Sequence, residues 1–157
     1  MTWSVHHSEL TTATTAQLWD RWGDPGTWHL DDPAVEWAQF DGPLAVGTTG
    51  VVKNHGTPAQ KITFTRVEHG RAMDFVVRLP FATLTITHDM EPALEGVRTT
   101  HGIVLDGPLH RLYAAVLGRK LARALPLVVR NVTAGALRSS ATTGKPDSSR
   151  RQKNRRP

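Results

Sequence analysis

The chain has 157 residues, enough for one domain with a buried core. It has no cysteine, which excludes a disulfide framework and thiolate chemistry, and no run of about 18 uncharged apolar residues, which excludes a helical membrane span. The net charge of +5 sits near the C-terminus, where Lys145 to Arg156 hold six Lys/Arg and one Asp; residues 1–138 hold thirteen Lys/Arg and thirteen Asp/Glu, so the high pI does not mark the folded body as a nucleic-acid binder.

The opening MTWSVHHSEL lacks the basic-then-apolar layout of a secretory signal, and a soluble cytoplasmic protein is expected. Trp3 to Leu10 alternates: Trp3, Val5 and His7 point one way, Ser4, His6 and Ser8 the other, as in a strand. Thr11 or Thr12 is the expected cap of a helix over 14–22, with Leu18 and Trp22 on its apolar side. Gly23-Asp24-Pro25-Gly26 reads as a turn into a second short helix, Pro25 to His29, capped by Asp24.

Strands follow, each ended by turn residues: 36–40, 47–54, 60–68, 71–79, 81–91 and 96–105. Met73, Phe75, Val77 and Leu79 alternate with Asp74 and Arg78, which predicts one buried and one wet face. From Gly107 to about Ser139 the spacing predicts one long helix. Leu109, Tyr113, Leu117, Leu121, Leu125, Val128 and Val132 recur every three or four residues, and Arg111, Arg119, Lys120, Arg123 and Arg130 form a solvated row. Pro108 suits the first helical position, while Pro126 predicts a kink near Ala122 to Pro126. The expected architecture is α+β. A curved antiparallel sheet of six to seven strands carries two short helices, and the last helix packs across its concave face over a cavity.

In this order the chain resembles the START-like or Bet v 1-like (SRPBCC) superfamily, in the branch labelled polyketide cyclase/dehydrase. The residues that carry the likeness are Trp3-Ser4-Val5, Leu18-Trp19 with Trp22, Asp24-Pro25 with Trp28, and Phe40-Asp41-Gly42-Pro43-Leu44 with Gly47 and Gly50. Thr85-Ile86-Thr87-His88, Thr99-Thr100-His101, Gly107-Pro108-Leu109, Leu117-Gly118-Arg119 and Leu125-Pro126 complete it. The likeness covers about residues 1–138 and implies a helix-grip fold with a hydrophobic pocket for a small or lipidic ligand. The domain is therefore set at 1–139, followed by a basic tail, 140–157, expected to be disordered because it has almost no apolar residues.

His88 and His101 are the candidate catalytic pair. If their strands form a hairpin around Pro92 to Glu95, the two imidazoles come together facing the cavity, where one can act as acid or base. The competing reading makes them half-buried strand residues satisfied by Thr or backbone. No third partner at metal-ligand spacing accompanies them, so neither a metal nor a cofactor is expected. Asp31-Asp32 reads as a solvated loop. The expected ligand-facing set is Trp28, Trp37, Phe64, Phe75, Phe81, Leu84, Ile86, Tyr113, Leu117 and Leu121, with Trp28 and Trp37 on the rim. No G-x-S-x-G, H-E-x-x-H or G-x-G-x-x-G motif is present.

Three functions compete. The first is binding of a hydrophobic or aromatic small molecule, lipid- or polyketide-like. The second is a cyclase or dehydratase kind of enzyme that uses the pocket histidines. The third is weak, salt-sensitive association of the tail with nucleic acid or an anionic surface. Apart from that tail no nucleic-acid contact is expected, and the protein is taken to be a monomer or homodimer.

Overall fold

A computed structural model describes residues 2–143, with the backbone alone for 140–143. The basic tail expected from 140 onward therefore lies, from 144, outside the described residues. β1 (Thr2–Thr11) leads into α1 (Thr15–Gly23). The cap of α1 is Thr14 rather than Thr11 or Thr12. Its hydroxyl accepts from the Gln17 N–H at 3.2 Å, and the Gln17 amide oxygen accepts from the Thr14 N–H at 2.7 Å. This reciprocal box is written in the sequence as Thr-x-x-Gln. Asp24 caps a 3-10 turn (Pro25–Thr27) by accepting from the Gly26 N–H at 2.9 Å, and the chain runs on into α2 (Trp28–Asp31).

Six strands follow: β2 (Val35–Phe40), β3 (Thr49–Asn54), β4 (Gln60–Glu68), β5 (Ala72–Leu79), β6 (Ala82–Ala93) and β7 (Gly96–Asp106). They form one antiparallel sheet with β1, in the order β1-β7-β6-β5-β4-β3-β2. The two edges are thus the first and second strands, and α1 and α2 occupy the connection between them. The last helical stretch is α3 (His110–Tyr113), a π-helical turn (Ala114–Gly118) and α4 (Arg119–Thr143). α4 packs against α1, α2, β1 and β7 and lies across the concave face. α4 runs through Pro126, and a π-helical turn precedes it at 114–118. There Gly118 is buried against the Trp3 indole: a Cβ at this position would stand 3.0 Å from the ring.

Two irregularities in the sheet decide which side chains face inward. Between Val35 and Trp37 the register of β2 against β3 shifts. Val35 is buried, yet Trp37 turns outward and is 42 % exposed, and Ala38 and Phe40 take the inner face. An extra residue in one strand reverses the parity beyond it. A second shift in β4, between Phe64 and Arg66, does the same and brings Val67 onto the core.

The core gathers Leu18, Trp19 and Trp22 of α1, Ile62 and Phe64 of β4, Met73 and Phe75 of β5, Met90 of β6, and Val132 and Ala136 of α4. Each fully buried large side chain here contributes about 1.5–3 kcal/mol through removal from water. The apolar stripe of α4 is centred on Leu125, Val129, Val132 and Ala136.

Candidate functional site

Between α4 and the sheet lies a cavity of about 200 Å³. Its floor is the inner face of the sheet: Ile62, Phe75, Val77, Leu84, Ile86 and Ile103. Alternation puts these residues there, since i and i+2 of a strand share a face. Its roof is α4, through Leu121, Ala124, Leu125, Val128 and Val132, whose spacing repeats the helical period. Trp22 of α1 and Trp28 of α2 form the end wall. Trp28 stacks on Phe75 with centroids 5.4 Å apart, and its indole N–H donates to the Trp22 carbonyl at 3.0 Å. That bond fixes the ring as a wall.

His88 and His101 both line this cavity. The register of β6 against β7 places them directly opposite one another, with ring centroids 4.5 Å apart and edge to face. His88 Nδ1 lies 2.8 Å from the Met73 carbonyl. A carbonyl only accepts, so Nδ1 carries the hydrogen and Nε2 is the bare lone pair. His101 Nε2 is buried without a partner, and so is the Trp22 indole N–H. Burial holds His88 down to about 4 and His101 well below the ordinary imidazole range, the latter lowered further by His88 and His7. Both rings are neutral at pH 7. Neither is a proton donor there, and a proton accepted by either would sit in a poorly solvated place.

The charged groups of the cavity collect where α1, α2 and α4 meet. Arg21 Nε and Nη2 donate to the two Asp31 carboxylate oxygens at 2.9 and 2.7 Å, with the side chains only 8 and 6 % exposed. The Asp31 carbonyl accepts from Asn131 Nδ2 of α4 at 2.9 Å. Gly135 of α4 makes room for the guanidinium: a Cβ there would stand 2.5–2.7 Å from its atoms. Neighbouring Asp32 also lines the cavity. Burial raises its carboxyl, the Ala34 N–H and Lys120 oppose this, and Asp31 adds to it. Asn54 Oδ1 is a further buried acceptor on the wall without a partner.

Of the sequence-predicted set, Trp28, Phe75, Leu84, Ile86, Leu121, His88 and His101 are on the cavity wall, and five are not. Phe64 lies in the core behind it, edge-on to Phe40 and Phe75. Trp37 faces out because of the β2 bulge. Phe81 is 75 % exposed at the β5–β6 turn, with φ 55°. Tyr113 and Leu117 belong to the helical turns before α4, and the Tyr113 hydroxyl donates to the Pro80 carbonyl at 3.3 Å. The Asp31-Asp32 pair is not a solvated loop, since Asp31 is 4 % exposed and paired. Arg21 was not anticipated at all. The available signal was its position: Leu18, Arg21 and Trp22 follow the i, i+3, i+4 rule on one helix face. Among the described residues no group of three or more His, Cys, Asp or Glu could hold a metal ion. No described helix is long and apolar enough to cross a membrane.

A curled antiparallel sheet gripping a long C-terminal helix over a cavity is the helix-grip fold of START-like and Bet v 1-like proteins, and the chain has that fold. Solved structures with the same fold include the di-domain ARO/CYC StfQ from the steffimycin biosynthetic pathway, similar over 90 % of this chain at 12 % identity and a TM-score of 0.71. The chain spans about half of that protein, 52 % of its length. Norcoclaurine synthase from Thalictrum flavum matches 87 % of this chain and 87 % of its own at 14 % identity, with a TM-score of 0.65. Ara h 8.0201 matches 85 % of this chain and 99 % of its own at 11 % identity, with a TM-score of 0.59. No protein-family model matches the chain, and no curated protein matches it in sequence.

Proposed function

We propose that this protein binds a hydrophobic or aromatic small molecule, lipid- or polyketide-like, in the cavity between the sheet and α4. The observation that carries this reading is the wall itself. It is apolar along the roof and, apart from Asn54 and Gln60, along the floor, and its charged groups, the Arg21–Asp31 pair and Asp32, are confined to the α1–α2 end. Such a surface gains by taking apolar area out of water and has little to offer an ionic ligand. Native mass spectrometry of gently purified protein should show a carried molecule. A ligand at a hundredfold excess over its Kd should stabilise the fold by about 2.7 kcal/mol, which is a rise of roughly 5–10 °C in Tm for a domain of this size. A broad panel of fatty acids, sterols and polycyclic aromatics that leaves Tm unmoved, with no carried molecule, overturns the reading.

A second reading keeps the same cavity and adds chemistry of the cyclase or dehydratase kind, with His88 or His101 moving a proton. What favours it is that both imidazoles reach the wall as a pair. Orientation and exclusion of water would supply most of the acceleration, with a neutral imidazole as base. Turnover of a polyketone chain that persists in His88→Gln/His101→Gln removes the histidines from the mechanism. Association through the basic tail is a separate proposal, resting on the run from Lys145 to Arg156. Deleting 142–157 should abolish it, and salt should weaken it.

A further inference from the structure

Three rings meet at the inner end of the cavity. His88 and His101 lie 4.5 Å apart, Trp22 is 5.2 Å from His88, and Trp22 is 5.7 Å from His101. All three line the cavity and are at least nine-tenths buried, at 8, 3 and 2 % exposure. Their hydrogen-bonding capacity is not used up inside the protein. The Trp22 indole N–H, a donor only, has no partner, and neither does His101 Nε2. His88 has spent its hydrogen on the Met73 carbonyl and keeps a lone pair on Nε2. Buried polar groups are nearly always paired, so an unpaired donor beside unshared ring nitrogens needs an explanation.

The group that satisfies such a set must accept from an indole N–H and donate to an imidazole lone pair. A neutral hydroxyl does both. A carboxylate can only accept, and its charge would have to be desolvated against neutral rings, because the nearby guanidinium of Arg21 is already engaged by both oxygens of Asp31. An ammonium has no acceptor role to offer the indole. Size adds a limit: the cavity, at about 200 Å³, is only moderately larger than the ~150 Å³ apolar cavity that takes up benzene. Apart from Asn54, Gln60 and the charged group of Arg21, Asp31 and Asp32, the remaining wall is aliphatic and aromatic.

We propose that Trp22, His88 and His101 form a hydroxyl-binding subsite, and that the ligand is an uncharged apolar molecule of one or two fused rings bearing a hydroxyl that seats there. This rests on the ligand-binding reading above and specifies its chemistry. The indole donates to the ligand oxygen, and the ligand hydroxyl donates to an imidazole nitrogen.

The test is a titration at pH 7.5 with 2-naphthol, naphthalene and 2-naphthoate, followed by calorimetry and by the Trp22 indole N–H resonance. The expected order is naphthol first, naphthalene at least about tenfold weaker, and naphthoate weakest. The indole N–H resonance moves downfield with naphthol, as a new hydrogen bond requires, while naphthalene shifts it only through its ring current. In Trp22→Phe, which keeps a ring but removes the donor, the naphthol advantage shrinks toward one. Equal affinity for naphthol and naphthalene in the wild-type protein, as when water keeps those ring nitrogens, overturns the subsite and leaves the ligand-binding reading standing. If none of the three binds while a member of the wider hydrophobic panel does, the proposed ligand class falls and that reading survives. If nothing binds in either assay, both fall. Should Trp22→Phe fail to fold, the wild-type ratio and the indole shift decide the matter without it.

Discussion

Replacing Asp31 by asparagine should cost far more than its place next to a loop suggests. The carboxylate is 6 % exposed and the guanidinium of Arg21 is 8 % exposed, joined by two bonds of 2.7 and 2.9 Å. Asp31→Asn keeps the shape but leaves a buried guanidinium without its counter-charge. Breaking a buried pair from one side costs about 3–5 kcal/mol, which is a large share of the 5–15 kcal/mol that holds a typical domain together. For a chain of this length the loss is roughly 6–20 °C in Tm. Urea denaturation and thermal melting followed by circular dichroism measure it directly. Removing both charges at once, as Arg21→Met with Asp31→Leu, should recover most of the loss, because well-packed apolar replacements are often neutral or better. Gly135 supplies an internal control of sign. In the wild-type protein Gly135→Ala pushes a methyl into the guanidinium and destabilises. In an Arg21→Ala background the same change should stabilise by up to about 1 kcal/mol, the helix preference of alanine over glycine. An Asp31→Asn protein that melts within about 2 °C of wild type, or a Gly135→Ala effect with the same sign in both backgrounds, would refute the reasoning.

Further predictions follow from the same geometry. The imidazole of His88 is held down to about 4 in the folded chain against 6.5 when unfolded. The unfolded state therefore binds more protons between those values, and the stability linked to this group is complete above pH 6.5 and lost as pH falls toward 4. It amounts to roughly 3 kcal/mol. His101 acts in the same direction, so His88→Gln/His101→Gln should flatten the pH dependence of urea midpoints in that window, and an unchanged slope counts against the burial argument. Ala124→Leu adds bulk to the roof of the cavity, and ligand affinity should fall at least about tenfold while Tm holds or rises; unimpaired binding would place the ligand elsewhere. Phe81 holds φ 55° at an exposed turn, so Phe81→Gly should be neutral or stabilising by about 1 kcal/mol in thermal melts. A clear loss would reveal a packing role for the ring. Gly118→Val drives side-chain atoms into the Trp3 indole, and a destabilisation of about 1–3 kcal/mol is expected, with partial recovery in the Trp3→Leu background.

Most strands are legible because turn residues end them, such as Asp41-Gly42-Pro43 after β2 and His69-Gly70 after β4, although β6 runs on through Pro92. The long helix is legible in its period, whereas the π-helical turn, where Gly118 packs on Trp3, leaves no mark on that period. The cavity wall was legible wherever alternation ran undisturbed, as at Leu84, Ile86 and His88. It failed where a bulge reversed the parity, as at Trp37. Leu117 shows a second limit: an apolar side chain at the right period need not reach the cavity, while Phe81, out of step with Leu84 and Ile86, sits exposed at the β5–β6 turn. Arg21 with Asp31 shows a third. A charge on the apolar stripe of α1 announces a buried partner, but the partner lies ten residues away across a turn, and only the packing of α4 against both decides that it is Asp31.

The pairing of β1 has a consequence for how the chain comes to exist. Trp3 lies opposite Leu105, so β1 is synthesised about a hundred residues before the strand that flanks it. During that interval its edge is unprotected, and contacts this distant in sequence make for slow acquisition of structure. A nascent or truncated chain that stops before Gly96 lacks the partner of β1 and the whole of α4, and is the species most at risk of sticking to its own copies.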